Sequence, residues 1–318
     1  MDNLAQAPVK FIRDDEFIIL MEDQNGGKYA IDDLKRLRDV GIQTIVRYPF
    51  WKDIEQDWHS YDWSSIDRAI SDGRSAGLKT MLAIYDHAPL FFPEDWYFHF
   101  ADGRILTDPD TNIDYERLMS PWNADGWRYH LGFIDRCCER YNAADVLCFR
   151  SALKGGSVML PEMAGVRIEG DVLETVMRVM LEEQMIFESH PSREIWTTLH
   201  PTFDKLPWSG NAYRYEIYEM LQQILPNARH QALTHAYFTD NGEHGIISEM
   251  MRRCDFPLWV GSEYCEGLNT NTDTAIERGF RGFFTAPLHY LSGNKALEPW
   301  MLEAVAASMR KWREHVQH

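Results

Sequence analysis

Positive charge is scarce in this chain. Lys and Arg number 32 against 49 Asp and Glu, a formal net charge of −17. A surface this acidic repels nucleic-acid phosphates and anionic membranes, so neither is expected as a partner. Long apolar runs are missing too: no stretch of about 18 apolar residues occurs, and no transmembrane helix is expected. The start, Met1-Asp2-Asn3-Leu4-Ala5-Gln6-Ala7-Pro8, lacks a basic segment leading into an apolar one. No secretory signal is therefore visible, and a cytoplasmic or otherwise non-secreted protein is expected. Cysteine is sparse and odd in number: Cys137, Cys138, Cys148, Cys254 and Cys265, with no C-x-x-C spacing. Buried free thiols in a reducing compartment are the simplest account. Nucleotide and nucleophile motifs are absent as well. No G-x-G-x-x-G follows the first apolar run, although Asn25-Gly26-Gly27 lies near it, and there is no P-loop and no G-x-S-x-G elbow. No cofactor is expected.

What is present is enough for a large core. The chain has 318 residues, of which 45% are hydrophobic and 25% charged. That length suits a single α/β barrel with insertions. Aromatics are plentiful, with 11 Trp, 14 Tyr and 16 Phe. Many belong in a core, but a flat ring is also what stacks on the apolar face of a pyranose.

Strand-like and helix-like segments alternate along the whole chain. Apolar runs predict strands over Phe17–Met21, Thr44–Tyr48, Leu78–Tyr85, Val146–Phe149, Glu194–Leu199, His230–Phe238, Leu258–Glu263 and Gly282–Ala286. Helical periodicity falls between them, over Ile31–Val40, Trp63–Ala76, Ala124–Tyr141, Asp171–Ser189, Ala212–Leu225, Glu243–Arg253, Asp273–Gly279 and Leu297–Val316. Gly41 and Gly77 stop the first two helices. Eight β-then-α units in this order predict an α/β protein, a (β/α)8 TIM barrel forming a single domain over 1–318. An open doubly wound sheet is the alternative. The long Pro-, Asp- and aromatic-rich stretch 86–121, between the third strand and its helix, is expected to be a functional loop.

Barrels of this kind place their chemistry at the C-terminal ends of the strands. The seventh strand runs Pro257-Leu258-Trp259-Val260-Gly261-Ser262 into Glu263, a carboxylate at a strand end. Glu263 also has a plain reading as a helix cap or an ion-pair partner. The fourth strand is followed by Gly155-Gly156-Ser157 and then by Pro161-Glu162.

The first third of the chain resembles the clan of retaining (β/α)8 glycoside hydrolases, which includes cellulase-like and β-galactosidase-like families. The likeness is carried by Arg47, Trp51 and Ile54-Glu55, then Tyr61-Asp62-Trp63 with Ile66-Asp67, then Gly77-Leu78 with Leu82, and finally His87 with Pro89. Over the rest it is one of element order and strand-end residues.

The resemblance implies hydrolysis of β-linked O-glycosidic bonds in an oligosaccharide or polysaccharide by a two-carboxylate retaining mechanism, without metal or cofactor. Glu263 falls where the clan's nucleophile stands, and Glu162 is the acid/base candidate. Pro161 stands where the clan usually has Asn before that acid. In a second alignment Ser157 occupies the acid position, as a lost or replaced acid, and another carboxylate such as Glu169 is a third option. Arg47 would sit beside Glu263 and hold it ionised. His87 would bond sugar hydroxyls, with a core histidine as the plain reading. His200, His235 and Tyr237 end the fifth and sixth strands, and His289 stands where many relatives carry a sugar-platform Trp. Trp51, Trp96, Trp122 and Trp208 are the platform candidates here.

Two rival readings remain. His200 and His235 fit a metal-dependent hydrolase barrel, but no His pair ends the first strand. A barrel that kept its cleft and lost its acid would bind glycans without cleaving them.

Overall fold

The computed structural model describes residues 18–23, 30–47, 49–85, 87–105, 117–141, 146–150, 167, 169–190, 195–197, 232–234, 258–262, 272–273, 276–277, 282–285 and 299–316. Eight strands organise it: β1 (Ile18–Asp23), β2 (Thr44–Arg47), β3 (Lys79–Tyr85), β4 (Val146–Arg150), β5 (Ile195–Thr197), β6 (Ala232–Thr234), β7 (Leu258–Ser262) and β8 (Gly282–Thr285). Each pairs in parallel with its sequence neighbours, and β8 pairs back onto β1, Ile18 opposite Gly282, so the sheet closes into a barrel. Parallel neighbours need a crossover, which is why helical segments separate these strands in sequence. All eight C-terminal ends therefore share one face.

Helix α1 (Ile31–Asp39) buries Leu34 and Leu37, carries Asp32 and Asp33 in its first turn and Arg36 and Arg38 towards its end, and so matches its own dipole. It stops at Gly41, whose φ of 113° only glycine adopts without strain. Helix α2 (Ser64–Ala76) ends in a Schellman-type turn at the left-handed Gly77, where Leu78 N–H donates to the Gly73 carbonyl at 2.9 Å. Helices α3 (Ala124–Arg140) and α4 (Val172–Ser189) are capped by Asn123 and Asp171, whose side chains accept from Gly126 N–H at 2.9 Å and Glu174 N–H at 2.8 Å. The last helix, α5 (Pro299–Val316), buries Val305, Met309 and Trp312.

The core joins these layers through Leu37, Val46, Ile70, Met81, Leu82, Leu147 and Trp312, all fully or nearly fully buried. Burying a side chain of this size contributes roughly 1.5–3 kcal/mol. Cys137 and Cys138 are buried free thiols on α3, and burial pushes the Cys137 thiol up. No helix among the described residues is long and apolar enough to cross a membrane.

The helices expected over Ala212–Leu225 and Glu243–Arg253 lie outside the described residues. That expected over Asp273–Gly279 is described only at 272–273 and 276–277, which are helical.

Two features of the C-terminal face are not in the sequence expectation. Beyond β2 the chain makes one helical turn, Trp51–Ile54, and then a hairpin of Glu55–Asp57 with Ser60–Tyr61. Beyond β3, His87–Ala88 pairs antiparallel with Arg117–Leu118, and bridges at Tyr97–Met119 and His99–Ile105 continue the fold of the insertion. The described part of the 86–121 stretch is thus a small sheet in its own right.

Candidate active site and its rim

β7 marks the C-terminal face of the barrel as the candidate site. The strand ends at Ser262, so Glu263 is the first residue beyond its C-terminal end. Glu263 itself, with Glu162, Ser157, His200, Trp208, His235, Tyr237 and His289, lies outside the described residues. The site candidates that are described are Arg47, Trp51, His87, Trp96, Trp122 and Glu169.

Arg47 is buried at the end of β2. Burial lowers its guanidinium to about 10, with the charge of Asp72 opposing the shift, and it stays a cation at neutral pH. Its side of the sheet follows from register. Ile45 is opposite Thr80 and Arg47 opposite Leu82, without a bulge. Thr80 faces α2, because a Cβ built on Gly73 would meet Thr80 Oγ1 at 2.6 Å. Side chains alternate along a strand, so Arg47 shares the helix-facing side with Ile45 and Thr80. Arg47 is thus a buried, helix-facing cation at the end of β2, and Glu263, beside which it was expected, lies outside the described residues.

His87 begins the insertion directly after β3. It is buried, with its ring edge-on to Phe50 at 4.9 Å. Of its two expected readings, sugar contact and core histidine, this packing is the setting of the second.

The platform expected at Trp51 is corrected. It is 0% exposed, stacked on Phe133 at 4.8 Å and inclined against Phe92 at 5.3 Å. Its indole N–H donates to Glu55 Oε2 at 2.7 Å, so both faces and the polar edge are occupied within the protein. Trp122 is half-buried and donates to Thr175 Oγ1 at 3.0 Å. Glu169, the third option for the acid, is held by Arg167 in a surface ion pair, with Arg167 Nε at 2.8 Å.

The organising group of this face is Glu55, a buried carboxylate that the sequence motif contains without assigning it a role. It accepts from Trp51 Nε1, from His59 N–H at 3.0 Å and from the Tyr129 hydroxyl. Burial and this bond to Glu55 push the Tyr129 hydroxyl far above its ordinary value. The cluster fastens the β2 hairpin to α3. It also holds His59 at a φ of 58°, a left-handed conformation unusual outside glycine.

At the tip of that hairpin stands Trp58, 44% exposed. Phe91, Phe92, Trp96 and Tyr129 surround it, with ring centroids 5.0–5.7 Å away. Trp96, a platform candidate, is half-buried there as a buttress. Sequence reasoning passed over Trp58. The available signal was a Trp in a short polar turn, Asp57-Trp58-His59-Ser60, between two structured segments. Among the described residues no group of three or more His, Cys, Asp or Glu is placed to hold a metal ion.

A closed parallel barrel with its chemistry-bearing loops on one face is a fold found in glycoside hydrolases. Particular solved structures share it. A β-galactosidase from the psychrophilic Marinomonas ef1 matches with a TM-score of 0.61 at 13% identity, over 94% of this chain and 62% of that one. A β-galactosidase from the Antarctic haloarchaeon Halorubrum lacusprofundi matches with a TM-score of 0.64 at 11% identity, over 93% of this chain and 58% of that one. A GH36 α-galactosidase from Geobacillus stearothermophilus, in complex with stachyose, matches with a TM-score of 0.50 at 14% identity, over 94% and 42%. The chain thus spans less than two thirds of the length of each of these neighbours. At such identities the likeness is one of fold. No family model and no curated protein matches the chain.

Proposed function

We propose that this protein is a single-domain (β/α)8 glycosidase that cleaves O-glycosidic bonds, β-linked by preference, through two carboxylates. Glu263 attacks the anomeric carbon and is displaced by water in a second step. Glu162 protonates the leaving oxygen and then deprotonates that water. Overall one glycosidic C–O bond and one water O–H bond break, and the configuration at the anomeric carbon is retained. Neither metal nor cofactor takes part.

The observation that carries this reading is the position of Glu263 one residue beyond the end of the seventh strand of a closed parallel barrel. The fold likeness to galactosidases supports the substrate class. Release of p-nitrophenol from a panel of aryl β- and α-glycosides tests it. Wild type is expected to turn over at least one β-glycoside, and Glu263→Gln to lose about a thousandfold or more in kcat while still binding the sugar. Unchanged turnover in that variant would sink the assignment.

Pro161, standing before Glu162 where the clan usually has Asn, favours one second reading: a barrel that binds glycans without cleaving them, with Ser157 in the acid's place. Saturable glycan binding with no turnover of any aryl glycoside would select it.

A further inference from the structure

We infer that Trp58 is a stacking platform for a neutral oligosaccharide at the rim of the barrel mouth. The inference rests on the glycan reading above and adds to it a binding residue outside the Glu263 and Glu162 pair.

Position comes first. Trp58 tops the hairpin that leaves the C-terminal end of β2, and Phe91, Phe92 and Trp96 belong to the insertion that leaves the C-terminal end of β3. The cluster therefore stands on the face that carries Glu263. It is linked inward by ring contact, Trp58 to Phe92 at 5.0 Å and Phe92 to Trp51 at 5.3 Å.

Construction comes next. An indole left 44% exposed forgoes part of the burial that a large apolar side chain gains on folding. Here it is fixed in that position. Asp57 Oδ1 accepts from the Trp58 backbone N–H at 2.8 Å, and the following residue, His59, is held left-handed by Glu55. The four ring neighbours meet Trp58 at interplanar angles of 58–89°. They buttress it at an incline, and among the described residues no ring lies parallel to the indole. Trp58 keeps 44% of its surface exposed, and this surface is what it offers to the flat apolar face of a pyranose.

The surroundings select the ligand. Asp57, Glu94 and Asp95 are exposed beside the rings. Carboxylates accept hydrogen bonds from sugar hydroxyls and repel acidic saccharides, and the net charge of −17 acts in the same sense. A neutral oligosaccharide meets both demands.

Oxidation by N-bromosuccinimide, mapped by mass spectrometry on the full chain, tests this with an internal reference. Trp300 on α5 is 38% exposed, comparable to Trp58. Stachyose and cellotetraose are the probes. One of them is expected to slow oxidation of Trp58 at least about fivefold and to leave Trp300 unchanged. In calorimetric titration Trp58→Ala is expected to bind that tetrasaccharide about tenfold more weakly, a loss of one stacking contact, and Trp58→Tyr to fall between. No protection by either tetrasaccharide, or equal affinity in Trp58→Ala, overturns the platform. Self-association of wild type that Trp58→Ala abolishes, without any glycan effect, also overturns it and makes the patch a contact between copies. The two readings fail separately. Hydrolysis without Trp58 protection overturns the platform alone; protection without hydrolysis supports it and removes the glycosidase.

Discussion

The Tyr129 hydroxyl donates to the buried carboxylate of Glu55, across 74 residues of sequence, and this bond ties the loop after β2 to helix α3. Glu55 keeps its burial only because three donors meet it. Hydrogen bonds to a charged group are worth roughly 1.5–3 kcal/mol each. Tyr129→Phe should lower stability by about that amount, and Glu55→Ala by more, since it leaves the Trp51 indole N–H buried without an acceptor. Urea unfolding reads this as a lower midpoint at unchanged slope. Equal stability of all three proteins would show the clasp to be idle.

Alkaline pH should strain the same region. Burial raises the hydroxyls of Tyr61, Tyr97, Tyr129 and Tyr141 above the ordinary tyrosine value of 10.0. A raised folded-state value means that the native protein holds protons the unfolded chain releases. Their stabilising contribution is complete below pH 10 and is lost as pH climbs beyond it. Thermal unfolding should be insensitive to these groups from pH 7 to 9 and fall steeply above about 10.5. Absorbance at 295 nm should show these phenols ionising only as the protein unfolds. Smooth titration of every tyrosine near 10 in a folded protein would contradict the burial.

Gly126 is a packing constraint under the rim. A Cβ there would lie 2.8 Å from Met119 Sδ and 2.9 Å from Trp96 Cγ. Gly126→Ala should destabilise by about 1–3 kcal/mol, since Trp96 cannot give way without disturbing its rings. Near-ultraviolet circular dichroism should change with the melting temperature. A neutral substitution would mean that the insertion yields more easily than its contacts imply.

The acid is tested by leaving-group dependence. Glu162→Gln should lower kcat/KM for alkyl glycosides by about a hundredfold to ten-thousandfold and spare kcat/KM for activated aryl glycosides, whose leaving group needs no protonation, while kcat falls for both because the second step has lost its base. An equal loss of kcat/KM for both substrate types would move the acid elsewhere.

The barrel was legible in the sequence because its signals are local. Apolar runs at β3, β4 and β7 and glycines at positions 41 and 77 mark element ends through chemistry that acts within a few residues. The rim was not, because its determinants are distant in the chain. The two-residue strand His87–Ala88 has no periodicity of its own and exists only by pairing with Arg117–Leu118. Nothing in the residue type tells the fully buried Trp51 from the exposed Trp58, since only the positions of Phe133 and Glu55 decide it. Arg47 was placed by motif, whereas its side of the sheet depends on the register between β2 and β3.

Closure of the barrel between β1 and β8 has a consequence for how the chain is made. Ile18 leaves the ribosome far ahead of its partner Gly282. At typical synthesis rates the interval is on the order of tens of seconds. Throughout it the first strand keeps an edge that can pair with the wrong chain. Nascent or truncated products ending before β8 should be sticky where the finished protein is not, and a strand-capping chaperone would be needed most during the last part of translation.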